Sequence, residues 1–306
     1  MTAATQVPSP NQSVINRGTP PRTQALRNFG SAYVRNTWGM IGLVVLLAFT
    51  IMALTAPVWI HDSDLSAAAA TGPLLAPPQH GYPLGTDQPG RSVLLLLIYG
   101  SRPSLAIGVI ATVATVVIGA AIGLIAGHYQ GIVSNLLMRV TDWFIALPGL
   151  PLAISLSVVL GQGPVSITIA IAITSWTGAA RLVRAQTLAV EARPYIERAR
   201  ALGAGNTQIM IRHVLPNVMP LILVSSTLTV AGAILSETTL TFLGLGNPTD
   251  VSWGSMINQA FTQGAITAGA WWYVLPPGLA IVVVVLGFTL VGRAVEAILN
   301  PRMVNR

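Results

Sequence analysis

Lysine and cysteine are both missing from this 306-residue chain, and charge of either sign is scarce. Without lysine there is no P-loop, whose lysine must reach the β- and γ-phosphates, and no Schiff-base chemistry. Without cysteine there are no disulfides, thiolate nucleophiles or cysteine-based zinc sites, and cysteine usage says nothing about the redox compartment. Charged residues make up 8% of the chain, against roughly 25% in a soluble domain, which argues against a soluble enzyme. The four histidines, His61, His80, His128 and His213, are scattered and form no HExxH pair. What is present is apolar: 53% of the residues are hydrophobic and the mean hydropathy is +0.68.

The chain is free of Asp, Glu and Arg over residues 36–60, 103–138, 143–180, 213–236 and 251–292. A bilayer core about 30 Å thick needs about 20 apolar residues per helix. One span is therefore expected near Met40–Ile60 and one near Ser104–Ala126. The third run holds two, separated by Gly161-Gln162-Gly163-Pro164. Further spans fall near Val218–Leu235 and from about Tyr273 to Gly292. The expected fold is all-α, a polytopic membrane protein with six transmembrane helices.

Arginine placement gives the orientation. With the N-terminus inside, fourteen of the 16 arginines lie on the inner side, and only Arg91 and Arg102 lie outside. Excess arginine marks the cytoplasmic side, so N-in and C-in is expected. Arginines spread along one membrane face, with no aromatic–basic platform, exclude nucleic acid as a partner. Residues 1–37 read as a disordered cytosolic tail, too long and polar for a signal peptide. Residues 38–103 carry the first helix and an extracytoplasmic loop, 104–297 form a five-helix core, and 298–306 form a cytosolic tail. Val93–Leu97 reads as an interfacial helix.

The cytosolic loop 181–217 contains Tyr195-Ile-Glu-Arg-Ala-Arg-Ala-Leu-Gly-Ala204 and, further on, Leu215-Pro216. Ile196, Ala199 and Leu202 have helical spacing, and Gly203 follows where a positive φ is cheap. A short amphipathic helix ended by glycine suits docking on a cytosolic partner, whereas composition alone would allow a solvated positive-inside loop.

The spacing Glu197-x-Ala199-x3-Gly203-x11-Leu215-Pro216 resembles the EAA loop of ATP-binding-cassette (ABC) importer permeases. Arg198 and His213 depart from that pattern without moving the glycine or the Leu-Pro. Leu84-Gly-Thr-Asp-Gln-Pro-Gly-Arg91, Leu235-Ser-Glu-Thr-Thr-Leu-Thr-Phe-Leu-Gly-Leu-Gly246, Ser252-Trp-Gly254 and Leu299-Asn-Pro-Arg302 are similar to the C-type subunit of dipeptide, oligopeptide and nickel permeases. Ser92 departs from the acidic residue common there.

The resemblance implies a type I ABC importer transmembrane domain that imports peptides, with nickel chelates or other small solutes as alternatives. It implies a homologous second permease as heterodimer partner, two cytosolic ABC ATPases and an extracytoplasmic solute-binding protein, set in membrane lipid. The chain itself would be non-catalytic and hold no cofactor, with ATP and Mg on the ATPases. Tyr195, Glu197, Arg198, Ala199, Arg200, Ala201, Leu202, Gly203 and Ala204 would form the ATPase-coupling helix. In it Leu202 would fill an apolar pocket, and Glu197 and Arg200 would pair with each other or with the ATPase.

Glu237, near the outer end of the fifth span, reads either as hydrated or capping, or as a gate or structural hydrogen-bond residue. It is the lone candidate relay for a stand-alone secondary transporter. Asp142 reads as a carboxylate at the start of the third span, Pro148 and Pro151 as kinks in it. Trp271-Trp272-Tyr273 reads as an interface belt. Asp62 and Asp64 are too few ligands for a metal site.

Overall fold

A computed structural model describes residues 29–299, and these are helical apart from turns and two isolated β-bridges. The principal helices are α1 (Thr37–Trp59), α2 (Val93–His128), α3 (Ile132–Ala146), α4 (Gly149–Leu160), α5 (Pro164–Glu191), α6 (Pro194–Ala201), α7 (Asn206–Phe242), α8 (Trp253–Thr262) and α9 (Trp271–Leu299). Helices α1, α2, α5, α7 and α9 are each long and apolar enough to cross a membrane. Helices α3 and α4 meet at 92° and make a sixth crossing when taken as one bent span.

The third crossing differs from the expected one. It starts at Ile132, so Arg139 and Asp142 lie inside α3. Asp142 caps nothing: it pairs with Arg181 of α5 at 2.6 Å. The break falls at Leu147-Pro148, because proline disfavours a helical conformation in the residue before it. Pro148 is the N-cap of α4, and Pro151 sits in its first turn, where proline is tolerated.

Three further boundaries move for a common reason: helices continue past the apolar segment that a hydropathy window detects. Val93–Leu97 opens α2, with Val93 and Leu96 buried in the core instead of lying on the membrane surface. The loop expected over 181–217 contracts to residues 192–205, since α5 carries Arg181 and Arg184 and α7 begins at Asn206. Leu215-Pro216 does not restart the chain either. A π-helical turn at Met210–Val214 precedes it, and the Leu215 amide donates to the carbonyl of Met210. That wider turn accommodates a proline that has no amide to give. The expected disordered tail falls mostly outside the described residues, but residues 29–34 are helical.

The tightest pairing joins α2 and α5. Gly119, Gly123 and Gly127 recur every fourth residue along α2, and each is pressed against α5. A Cβ on Gly119 would lie 2.7 Å from the Trp176 carbonyl, on Gly123 2.6 Å from the Ala180 carbonyl, and on Gly127 2.5 Å from Thr187 Cβ. In lipid, where water drives no association, such small-residue stripes let backbones approach and gain dispersion contacts. We expect Gly127→Val to destabilise the chain by about 1–3 kcal/mol, the usual cost of overpacking. Thermal unfolding of the detergent-solubilised chain would register it as a lowered midpoint.

Candidate functional site

Helix α6 starts with Pro194 at its first position, where a missing amide costs nothing. Its single buried side chain is Ile196, fully enclosed with Val183, Val190, Ile209, Val214 and Val218. Glu197, Arg198, Ala201 and Leu202 face outward, Ala199 is partly covered, and the Tyr195 ring lies 6.4 Å from that of His213. Leu202 is 89% exposed, a bare apolar side chain at the tip of a charged helix.

The C-terminus of α6 is closed by backbone alone. The amide of Ala204 donates to the Ala199 carbonyl at 3.0 Å, and that of Gly203 to the Arg200 carbonyl at 2.9 Å. This is the Schellman arrangement, which needs a left-handed residue at its turn, and Gly203 supplies it with φ +87°. Among the described residues, nothing beyond its chain neighbours lies within 4 Å of where a Gly203 Cβ would stand. The space there is open to another molecule.

Arg200 is not part of an outward polar rim with Glu197. Its Nη2 donates to Glu191 Oε2 at 2.5 Å, and the other carboxylate oxygen lies 2.5 Å from Nδ1 of His128. A carboxylate accepts, so that nitrogen carries the hydrogen. Glu191 and His128 are buried and Arg200 is half exposed. Sequence reasoning missed this cluster. Its members are 63 and nine residues apart, and only the packing of α2 on α5 brings His128 to the last residue of α5.

A second polar node lies at the other end of α2. Asp87 and Arg91 form a buried ion pair, with Arg91 Nε and its backbone amide donating to the carboxylate at 2.7 and 2.6 Å. Arg91 also donates to the Leu65 carbonyl and to Gln259 Oε1, which the Tyr273 hydroxyl shares. Burial pushes the Asp87 carboxyl above its ordinary value, while the Arg91 guanidinium and the amides of Gly90 and Arg91 pull it back. Of the expected aromatic belt only Trp271 is exposed. Tyr273 is buried, and Trp272 donates to the Thr86 carbonyl at 3.2 Å. Both have turned inward to hold residues 72–92. Beside this node a cleft of about 710 Å³ is lined by Tyr99, Arg102 and Asp250 among others.

Glu237 is fully buried, which removes the hydrated reading. The hydroxyls of Thr238 and Thr241 donate to its carboxylate at 3.4 and 3.5 Å, and those of Ser104 and Ser252 face it from α2 and from the N-cap of α8. Ser252-Trp253-Gly254 docks α8 at this spot. Trp253 donates its indole N–H to the Leu97 carbonyl at 3.0 Å, and a Cβ on Gly254 would stand 2.7 Å from the Thr238 carbonyl. Glu237 thus lies at the junction of α2, α7 and α8.

Residues 119–305 match the profile of the family described as binding-protein-dependent transport system inner membrane component. The chain is 37% identical over 287 residues to the di/tripeptide transport system permease protein of Pseudomonas aeruginosa, covering 92% of this chain and 93% of that one. It is 38% identical to a putative peptide transport system permease protein of Brucella suis, with 86% and 87% covered. It is 36% identical to the oligopeptide transport system permease protein of Bacillus subtilis, with 88% and 87% covered. Among solved structures, the inward-facing methionine ABC transporter MetNI superposes with a TM-score of 0.53 at 20% identity, over 67% of this chain and 97% of that one. That likeness concerns the fold.

Proposed function

Since this chain belongs to the family of binding-protein-dependent transport system inner membrane components, we propose that it is the permease subunit of an ABC importer for di- or oligopeptides. It is a multi-pass protein of the plasma membrane. The observation that carries the reading is α6: a short helix displayed with a bare leucine, closed by a left-handed glycine and rooted in the bundle by one buried isoleucine. In this reading Tyr195–Ala204 seats in a groove of a cytosolic ATPase, with Leu202 in an apolar pocket and Glu197 and Arg198 at its margin. ATP-driven closure of two such ATPases biases the spans between two states, as any ligand does that binds one state better. Helix α6 and the arginine-rich ends then lie in the cytosol.

Peptide as the substrate is supported by the relatives, which are named as peptide transport permeases. The cleft beside Asp87–Arg91 agrees with it, since Arg102 and Asp250 offer both signs of charge that a zwitterionic peptide presents. A homologous second permease completes the pathway, and an extracytoplasmic binding protein delivers the substrate. ATP and Mg belong to the ATPases, because a chain without lysine cannot supply a P-loop.

The test is affinity purification of the chain from its native membranes, followed by reconstitution of what accompanies it. We expect a second multi-span permease and one or two P-loop ATPases in stoichiometric amount, and ATP-dependent peptide uptake into proteoliposomes once the binding protein is added. Recovery of the chain alone, with uptake driven by an ion gradient, would replace the importer with a stand-alone transporter.

A further inference from the structure

We infer that Glu191 is the positioning residue that makes the coupling helix and the α2–α5 pair move as one body. The inference rests on α6 being the ATPase-coupling helix and deepens that reading. Three observations carry it. First, Glu191 is the last residue of α5 and one of its carboxylate oxygens takes the guanidinium of Arg200 on α6, across the turn at Ala192-Arg193. Second, the other oxygen takes Nδ1 of His128, the last residue of α2, so a single buried carboxylate joins three helices. Third, α2 and α5 are already packed closely at Gly119, Gly123 and Gly127, where a Cβ would meet α5, the last of these adjacent to His128.

Any displacement of α6 is thereby handed to two spans and not to a flexible loop. Ile196 alone would leave α6 free to roll about its one buried side chain. The Arg200–Glu191 contact lies four residues further along, one turn away, and removes that freedom. Two charge-assisted hydrogen bonds on one buried carboxylate are the stronger sort of polar contact, and they are directional. Arg200 therefore faces its own subunit, which leaves Glu197 and Arg198 as the charges on α6 free to meet an ATPase.

The experiment uses the assembled transporter in proteoliposomes and reads peptide imported per ATP hydrolysed, together with the amount of ATPase that co-purifies. Glu191→Gln and Arg200→Gln should each lower the import-to-hydrolysis ratio by about tenfold, the scale of one lost hydrogen bond to a charged group. The ATPase should stay bound in both. The double variant should be no worse than either single one, because the pair acts as a unit, and Glu191→Asp should recover part of the ratio. A contact that merely stabilised the fold would lower the yield of complex and leave the ratio at its wild-type value. That ratio, in assembled complexes of both single variants, would overturn the inference. If Glu191→Gln fails to assemble, the half-exposed Arg200→Gln decides. Gly203→Asp separates the two readings. If it leaves ATPase binding and coupling intact, the coupling helix itself is misassigned. If it abolishes them while Glu191→Gln and Arg200→Gln keep the wild-type ratio, only the role of Glu191 falls.

Discussion

Gly203→Asp is expected to reduce ATP-driven uptake about a hundredfold while leaving membrane insertion unchanged. Two costs combine. A residue with a Cβ at φ +87° loses roughly 1–2 kcal/mol in the left-handed region. In the proposed docking of α6 on an ATPase, a carboxylate placed in the open space beside Gly203 would be covered, and a polar group buried without a partner costs about 1–3 kcal/mol. Together these reach about 3 kcal/mol, or roughly two powers of ten. The two costs can be separated, since asparagine and aspartate both tolerate the left-handed conformation better than most residues with a Cβ and differ chiefly in charge. Gly203→Asn should therefore retain more uptake than Gly203→Asp, and Gly203→Val, β-branched at a positive φ, should retain less than Gly203→Asn. Uptake into right-side-out vesicles, normalised to inserted protein, measures all three. Near-wild-type uptake in Gly203→Asp would place the ATPase contact elsewhere.

Much of α6 is legible in the sequence because its determinants are local. Ile196, Leu202 and Gly203 fall within eight residues, and a helix ended by a left-handed glycine follows from spacing alone. The five long apolar helices, and a sixth crossing when α3 and α4 are taken as one bent span, are legible too, since they depend on apolar length. Where helices stop is less legible. Asp142 and Arg181 break the charge-free runs and so look like boundaries, yet they neutralise each other across α3 and α5, and both helices continue through them. Proline was equally ambiguous: Pro148 ends a helix, Pro216 sits in one behind a π-turn, and Pro276 and Pro277 lie inside α9.

The polar nodes were the least legible part, for a physical reason. A buried ionisable group is tolerated only when its partners are in place, and here those partners come from distant segments. His128 and Glu191 meet because glycines bring α2 and α5 together, and Arg91 meets Gln259 through the docking of α8. Nothing in the residues around His128 sets it apart from the other three histidines. Glu237 was visible as an anomaly from its apolar flanks, but its hydroxyl partners on α2 and α8 were not. Asp87 and Arg91 stand four residues apart in a stretch already notable for its turn residues, and that spacing was the one local signal for an ion pair.

Asp87→Asn is the other substitution expected to act strongly, and it tests whether the Asp87–Arg91 node holds residues 61–92 in place. The intact Asp87–Arg91 pair is not a large source of stability, since burial opposes the ionised carboxyl even with the guanidinium beside it. Removing one member is different. Arg91, 9% exposed, keeps its contacts to Leu65 and Gln259 but loses its counter-charge. An uncompensated buried charge typically costs about 3–5 kcal/mol. The cost should appear as opening of the loop, because the long spans are held by separate contacts. Limited proteolysis of the reconstituted chain should then cut within residues 61–92 at least a hundredfold faster than wild type, taking about 1.4 kcal/mol per factor of ten. Uptake should fall with it, because the cleft bounded by Arg91, Arg102 and Asp250 loses one wall. The companion variant Asp87→Asn with Arg91→Met removes both charges, and replacing both partners of a buried pair is often neutral. Protection of the loop should therefore return in the double variant. Wild-type resistance to cleavage in Asp87→Asn alone would mean that Thr86, Trp272 and the turn backbone suffice to hold the loop.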